Sequence, residues 1–291
     1  MQYAAPKSTA EAARMLADAK GVARVLAGGT DLLVQMKSGL IEPDLVVDIK
    51  AIDGMRTITQ EAGGYRIGAA VSGAELGEHA GVRALWPGVV EALELVGSTQ
   101  IQGRCTLAGN LCNASPAADS VPAMVAAEAT VRVIGPDGAR DCPVQAIPTG
   151  PGKTSLARGE FVASIHLPAR PAHASDAYLR FIPRTEMDIA VCSAGVSLVL
   201  DRNGTCQTAR VALGAVAATV LLVKDAAAAL VGTKLDNAAL DALASAASAA
   251  ATPIDDKRGT VAFRKEVAGV LARRAAVIAQ QRAGSEKGAD T

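Results

Sequence analysis

The sequence predicts an α+β fold built from three consecutive units. The first part of the chain alternates strand, helix and strand within about thirty residues, which is the span of a small parallel unit. The middle part carries strand patterns around a hairpin turn, which favour an antiparallel sheet. The last part joins a second strand hairpin to alanine-rich helices. We place these units at 1–56, 57–168 and 176–283, followed by a flexible tail at 284–291.

The N-terminal unit is predicted to contain two helices and two strands. Ser8 or Thr9 can cap the first helix, and Gly39 suits the left-handed position that follows the end of the second. The second strand is mainly apolar, as expected of a strand that is buried on both faces. The predicted order is a helix over 10–19, a strand over 22–27, a helix over 32–37 and a strand over 45–49.

The middle unit is predicted to be an antiparallel α+β arrangement. The turn Pro136-Asp137-Gly138 separates two strand patterns and indicates a hairpin. The segment 97–119 is rich in glycine and polar residues and has little periodicity, so we interpret it as a functional loop. The other predicted elements are strands over 65–70, 129–134, 139–144 and 161–167, and helices over 74–80, 86–95 and 121–127.

The C-terminal unit follows a linker over 168–175, where prolines and small residues cluster without a pattern. Asp201-Arg202-Asn203-Gly204 is a strong hairpin signal between two strand patterns. The remaining residues are predicted to be helical. The predicted elements are strands over 189–200 and 205–215 and helices over 219–230, 238–250 and 261–281.

The composition argues against several classes of function. The 291 residues carry 29 basic and 29 acidic side chains, so the net charge gives no reason to expect nucleic acid or an anionic membrane as a partner. The most apolar stretch, 211–223, is too short to span a bilayer. The five cysteines include no CxxC pair and the three histidines lie far apart, which argues against a metal site in this chain. The odd number of cysteines and the absence of a secretory leader at 1–4 indicate a cytoplasmic protein.

Two glycine-containing elements carry the functional signal. The first, Gly28-Gly29-Thr30-Asp31, lies between an apolar strand and a helix, where free backbone amides and the helix dipole can bind a phosphate. It matches neither the GxGxxG fingerprint nor the Walker A motif. A glycine turn in which Thr30 or Asp31 caps the helix explains the same residues, so both interpretations stay open.

The second element, Thr106-Leu107-Ala108-Gly109-Asn110, leads into a run of small and polar residues that ends at Asp119. Thr106, Asn110 and the local amides could hold the other side of a pyrophosphate. The Asp119 carboxylate could accept hydrogen bonds from ribose or ribityl hydroxyls. An Asx-rich loop that fastens its side chains to its own backbone is the alternative. Two such elements in one chain raise the probability of a dinucleotide site without deciding it.

The order and spacing of eight motifs give a further indication. Together they resemble the FAD-binding medium subunits of the molybdenum hydroxylases, of the xanthine dehydrogenase and carbon monoxide dehydrogenase type, over almost the whole chain. The motifs are Ala27-Gly28-Gly29-Thr30-Asp31-Leu32, Ile67-Gly68-Ala69-Ala70, Thr106 to Asn110, Ser115-Pro116-Ala117-Ala118-Asp119, Gly150-Pro151-Gly152-Lys153-Thr154, Arg184 to Ala190, Phe263-Arg264 and Arg273-Arg274.

This resemblance implies a two-subdomain FAD-binding fold, similar to that of vanillyl-alcohol oxidase, followed by a three-stranded sheet with a helix bundle of the CO dehydrogenase flavoprotein C-terminal type. Val96 and Val162 would contact the flavin or adenine region. Arg180 falls where relatives have a lysine near the flavin. The cofactor-binding residues that the resemblance implies are Val25, Leu26, Ala27, Gly28, Gly29, Thr30, Asp31, Leu32, Val96, Thr106, Leu107, Ala108, Gly109, Asn110, Asp119, Val162 and Arg180.

Two positions depart from the family pattern. The second element usually reads Gly-Gly-Asn, whereas Ala108 precedes Gly109 here, so we expect Gly109 to be the residue that needs a positive φ. Ile189 replaces the aromatic residue that the carbon monoxide branch carries, and it resembles the branch that hydroxylates purines and aldehydes. We therefore expect the FAD subunit of a xanthine dehydrogenase-like complex that acts on aldehydes or N-heterocycles.

The resemblance also implies partners and a role. The chain would take electrons from [2Fe–2S] clusters of a small subunit, while a large subunit with a molybdenum cofactor oxidises the substrate. The complex would be a dimer of heterotrimers, and this chain would have no catalytic residues and no activity on substrate alone. The alternatives are a stand-alone FAD-dependent oxidoreductase and an assembly subunit that has lost flavin.

Some ionisable and thiol residues have both a functional and a structural interpretation. Arg184, Glu186 and Asp188 could tune the flavin, or they could form an ion-pair cluster before a strand. Cys105 and Cys112 flank the second element and could be mistaken for ligands of an iron–sulfur cluster. Buried apolar cysteine is the preferred interpretation for both.

Overall fold

The computed structural model describes residues 1–285, and it confirms the α+β class. The strands form sheets of three, five and four strands and one two-stranded ribbon. The predicted tail at 284–291 is wrong for Gly284 and Ser285, which belong to the last helix. The rest of that segment, 286–291, lies outside the described residues.

The N-terminal sheet is parallel and confirms the predicted strand–helix–strand unit. Ser8 caps the first helix by accepting a hydrogen bond from the amide of Glu11, as the sequence indicated. The strand β1 was not predicted, because three residues give no periodicity and its pairing partner lies about forty positions away. The sheet order is β1-β3-β2. The elements are β1 Gln2–Ala4, α1 Thr9–Asp18, β2 Ala23–Leu26, α2 Leu32–Lys37 and β3 Leu45–Asp48.

The middle sheet is antiparallel, in the order β4-β5-β10-β6-β7, and its hairpin lies where the Pro136-Asp137-Gly138 turn predicted it. Its helices bury their apolar faces in one core that the N-terminal unit shares. The elements are β4 Ile58–Glu61, β5 Gly64–Gly68, α3 Gly73–Glu78, α4 Ala80–Leu85, α5 Pro87–Glu94, α6 Thr99–Gln102, α7 Leu107–Cys112, α8 Ser120–Ala126, β6 Thr130–Gly135, β7 Gly138–Pro143, β8 Pro148–Gly150, β9 Lys153–Thr154 and β10 Phe161–Leu167.

The expected irregular loop over 97–119 instead contains two short helices, α6 and α7. Four and six residues are too few for an apolar period to show in the sequence. Thr106 caps α7, and Leu107 and Leu111 anchor that helix in the core. Tertiary burial, rather than intrinsic helix propensity, stabilises so short a helix.

The C-terminal sheet has four strands in the order β11-β12-β13-β14, so the expected three-stranded sheet is wrong by one short strand. The strand β14 occupies the start of the helix predicted over 219–230, which shrinks to α9. No pattern indicated β11, because Ser175 and Asp176 are buried within it and the usual alternation is lost. The elements are β11 Ala174–Phe181, β12 Cys192–Leu200, β13 Cys206–Gly214, β14 Leu221–Leu222, α9 Lys224–Ala228, α10 Asn237–Ala250 and α11 Val261–Ser285.

The long helix α11 packs its small side chains against β11, β12 and α10, and this contact forms a second core. Its Arg282 reaches across to Glu91 of α5, which ties the C-terminal unit to the middle unit. Between residues 1 and 285, no helix is both long and apolar enough to cross a membrane.

Candidate cofactor site

A cavity of about 750 Å³ lies between the N-terminal and middle units, and both glycine-containing elements line it. Its volume is within the range of sites that bind small molecules and cofactors. The end of β2 and the start of α2 form one wall, and the start of α7 forms another. The loop before β10 and Val162 within that strand complete the enclosure.

The first element approaches the backbone just before the second element so closely that only glycine fits at position 28. A Cβ atom added to Gly28 would lie 1.9 Å from the carbonyl oxygen of Arg104. Gly29 adopts a φ of +81°, a conformation that costs little only for glycine. These two constraints explain the double glycine at the end of β2.

The amides of the first element are available to a ligand. Within residues 1–285, the backbone N–H groups of Gly29, Thr30 and Asp31 donate no hydrogen bond. Asp31 stands at the N-cap of α2, but its side chain makes no capping bond, so the capping interpretation of this residue is wrong. Unpaired amides at the start of a helix, facing a cavity, form a concave anion-binding site.

The second element presents a similar start of a helix. Thr106 Oγ1 accepts a hydrogen bond from the Gly109 amide at 2.9 Å, while the amides of Leu107 and Ala108 have no acceptor within the described part of the chain. Ala108 and Gly109 are both helical, so the positive φ expected at Gly109 is wrong. Alanine at position 108 is therefore unstrained.

Side chains of the second element also fasten its own backbone, as the alternative interpretation held. Asn110 Oδ1 accepts hydrogen bonds from the amide and the hydroxyl of Ser120, at 3.1 and 2.7 Å. The Ala117 amide donates to Ser115 Oγ at 3.2 Å. The fastening side chains and the free amides belong to different residues, so the two interpretations are compatible.

Asp119 and Arg180 lie outside the cavity lining and bind each other. Arg180 Nη1 donates to Asp119 Oδ2 at 2.7 Å, and the Tyr178 hydroxyl donates to Asp119 Oδ1 at 2.8 Å. The side chains of Asp119 and Arg180 are only 9% and 5% exposed. Burial raises the pKa of Asp119, and the neighbouring Arg180 opposes that rise. Arg180 is therefore half of a buried ion pair, with no excess positive charge.

The structure brings most of the implied cofactor residues to one cavity. Two of the four exceptions lie next to the site: Leu107 is buried in the core, and the Leu26 side chain lies close to Gly29. The residues that line the cavity are Val25, Ala27, Gly28, Gly29, Thr30, Asp31, Leu32, Val96, Thr106, Ala108, Gly109, Asn110 and Val162; those that do not are Leu26, Leu107, Asp119 and Arg180.

Several cavity residues were not identified from the sequence. Gln35 Nε2 donates to Asn113 Oδ1 at 3.0 Å and so joins α2 to the end of α7. Arg158 Nε donates to the carbonyl of Ala17 at 2.8 Å and closes the wall near α1. These contacts join residues 78 and 141 positions apart, so no local pattern could have indicated them.

One ionisable side chain of the first element has a raised pKa. Asp31 is accessible from the cavity but is surrounded by protein, and this desolvation raises the pKa of its carboxyl.

Farther along the chain, Asp188 contacts Arg184 at 3.4 Å and Arg258 at 3.6 Å, which favours the ion-pair interpretation of that cluster. Among the described residues, no three His, Cys, Asp or Glu side chains gather as a metal site.

The cysteines near the second element are expected to be unreactive in the folded protein. Desolvation raises the pKa of Cys105 to about 11 and that of Cys112 to about 12. Because the thiolate is the nucleophile, we predict alkylation at pH 8 on the order of a hundred-fold slower than in the unfolded chain. Iodoacetamide labelling with and without urea, read by mass spectrometry, measures this ratio. Equal rates in both states would contradict the predicted desolvation.

Comparisons with known proteins cover nearly the whole chain. Residues 1–170 match the family described as the FAD binding domain in molybdopterin dehydrogenase, and residues 177–278 match the CO dehydrogenase flavoprotein C-terminal domain. The carbon monoxide dehydrogenase medium chain of Afipia carboxidovorans is 34% identical, with 97% of each chain covered. The xanthine dehydrogenase FAD-binding subunit of Escherichia coli O157:H7 is 30% identical, with 90% of each covered.

A solved structure agrees with these matches. The reconstituted CO dehydrogenase from Oligotropha carboxidovorans superimposes with a TM-score of 0.92 at 33% identity, covering 97% of this chain and 98% of that one. Relatives of the carbon monoxide and xanthine types match at similar identity, so overall similarity does not assign the chain to either branch.

Proposed function

Because this chain belongs to the FAD-binding medium subunits of the molybdenum hydroxylases, we propose that it relays electrons from [2Fe–2S] clusters of a small partner subunit to an external acceptor. A large partner subunit with the molybdenum cofactor would oxidise the substrate, and this chain would not act on substrate alone. Ile189 favours a xanthine dehydrogenase-like complex that hydroxylates aldehydes or N-heterocycles. The five free cysteines are compatible with the cytoplasmic location that we propose.

One observation carries the proposal: residues with unpaired backbone amides line the same cavity from both elements. They are Gly29, Thr30 and Asp31 in the first element and Ala108 in the second, where the unpaired amide of Leu107 directly precedes Ala108. We propose that the amides of Gly29, Thr30 and Asp31 hold one side of the FAD pyrophosphate and that those of Leu107 and Ala108 hold the other. Main-chain donors bind a diphosphate without a lysine, because the start of a helix carries a partial positive charge. This arrangement fits a dinucleotide better than a single phosphate.

The residues of this chain would bind and shield the cofactor without taking part in acid–base chemistry. Flavin supplies the redox chemistry, since it accepts electrons singly and releases them in pairs. Val96 and Val162 provide apolar walls that exclude water. Among the residues that the structure describes, no histidine lines the cavity, so the commonest general base of a stand-alone oxidoreductase is absent there.

The relay is tested by mixing the separately purified subunits under anaerobic conditions. We expect pre-reduced [2Fe–2S] subunit to bleach the visible flavin bands of this chain, and the chain alone to leave candidate aldehydes and N-heterocycles unoxidised. A colourless chain that still assembles with its partners would support the alternative in which this chain is an assembly subunit that has lost flavin. A chain that oxidises substrate without partners would support the stand-alone enzyme.

The proposed assembly is a dimer of heterotrimers. Native mass spectrometry of the co-expressed subunits is expected to give two copies each of the large, medium and small chains. A single heterotrimer as the largest species would contradict that stoichiometry.

A further inference from the structure

Gln102 makes the densest set of side-chain hydrogen bonds next to the cavity, although it does not line the cavity itself. Its Nε2 lies 2.6 Å from the carbonyl oxygen of Val96 and 3.1 Å from those of Leu93 and Glu94. These carbonyls belong to the end of α5 and the residues after it. The Leu93 carbonyl also accepts the Val96 amide at 3.0 Å, whereas those of Glu94 and Val96 accept no backbone amide within residues 1–285. Gln102 therefore acts as a cap for α5 from the following helix.

The other end of the same carboxamide contacts Cys105, the residue directly before the second element. Cys105 Sγ donates to Gln102 Oε1 at 3.5 Å, and the Gly73 amide donates to the Cys105 carbonyl at 2.8 Å. A Cβ atom added to Gly73 would lie 2.2 Å from Gln102 Oε1, so glycine at this position makes room for the carboxamide. The orientation of the amide is fixed, because rotating it would place its oxygen against three carbonyl oxygens.

Two of the four residues that Gln102 contacts belong to the cavity wall. Val96 and Cys105 each line the cavity, and Cys105 directly precedes Thr106, the cap of α7. The next carbonyl after Val96, that of Gly97, accepts a hydrogen bond from the Met187 amide of the C-terminal unit at 3.3 Å. One side chain thus fixes the apolar wall relative to the amides of the second element.

We propose that Gln102 is a positioning residue that sets the spacing between the Val96 wall and the free amides of α7. The inference rests on the proposed function, since the spacing matters only if FAD binds between those two features. Loss of the Nε2 donor would leave the Val96, Leu93 and Glu94 carbonyls without this partner. The Val96 side chain would then no longer be fixed relative to α7. The cofactor would then be held in a less defined position and lost faster.

The test compares Gln102→Leu with Gln100→Leu in the assembled complex. Gln100 lies in the same short helix, is exposed and makes no side-chain hydrogen bond within residues 1–285, so it controls for the loss of a glutamine from α6. For Gln102→Leu we expect FAD to dissociate about ten-fold faster or more, because loss of partly buried hydrogen bonds frees the Val96 wall. We also expect a changed visible circular dichroism of the flavin that stays bound. Gln100→Leu should match the unchanged protein in both measurements.

A second variant keeps the test decisive if Gln102→Leu fails to fold. Gln102→Glu has the same size, and at pH 8 its carboxylate cannot donate to the Val96 carbonyl. It is expected to change the flavin circular dichroism and release rate in the same direction. A normal flavin spectrum in either folded variant, with only a lower melting temperature, would overturn the positioning role. Absence of flavin from the unchanged protein would instead overturn the proposed function.

Discussion

Replacing Gly29 by aspartate is expected to abolish FAD retention. The φ of +81° at Gly29 strains any residue with a side chain, at a cost of roughly 1–3 kcal/mol. The new Cβ atom would lie 2.8 Å from Leu26 Cδ1 and 3.2 Å from Leu33 Cδ1. The added carboxylate would also stand beside the amides that we assign to the diphosphate, where like charges repel. We expect the Kd for FAD to rise at least about a hundred-fold, which corresponds to roughly 2.7 kcal/mol.

Gly232→Asp is the matched control for this substitution. Gly232 has a φ of +80° and no atom within 4 Å of an added Cβ, and it does not line the cavity. The Gly232→Asp substitution therefore introduces the same backbone strain and the same charge, but far from the amides that we assign to the diphosphate. The measurement is flavin content after gel filtration, together with titration of the apoprotein by FAD. Normal flavin content in Gly29→Asp would remove the first element from the site.

Replacing Asp119 by alanine is expected to destabilise the protein more than any exposed ion-pair substitution. It would remove the carboxylate that pairs with the buried Arg180 and that accepts the hydrogen bond of the Tyr178 hydroxyl. Removing one partner of a buried pair typically costs about 3–5 kcal/mol. Because Arg180 lies on β11 and Asp119 precedes α8, the loss should also loosen the contact between the C-terminal and middle units.

Asp141→Ala provides the comparison for this prediction. Asp141 pairs with Arg132 at 2.8 Å, but these two side chains are 45% and 40% exposed. Exposed pairs contribute about 0–1 kcal/mol, so this variant should unfold close to the unchanged protein. Urea unfolding followed by circular dichroism measures both variants. Equal midpoints for Asp119→Ala and Asp141→Ala would show that the buried pair contributes no more than an exposed one.

Local signals in the sequence were sufficient for much of the fold. The bounds of β10 and α2 agree with the predicted ranges because each is a mainly apolar run flanked by turn residues. The hairpin of β6 and β7 follows from its Pro-Asp-Gly turn. The strand β11 was missed because it buries polar residues, whose partners come from other parts of the chain.

The candidate site was predicted in its elements but not in its detailed contacts. Both glycine-containing elements line the cavity, since their composition directly reflects the close approach of the backbone. The pairing of Asp119 with Arg180 joins residues 61 positions apart, and the reach of Gln102 to Val96 depends on how α6 folds back on α5. Tertiary packing determines such contacts, and the sequence alone gave no sign of them.

The central claim is that opposing backbone amides hold FAD between the N-terminal and middle units. An experimental structure of the assembled complex with FAD tests it most directly. The claim predicts that the diphosphate lies within hydrogen-bonding distance of the amides of Gly29, Thr30 and Asp31 on one side and of Leu107 and Ala108 on the other. Density for FAD in another part of the chain, or a fully assembled complex that binds no FAD, would contradict it.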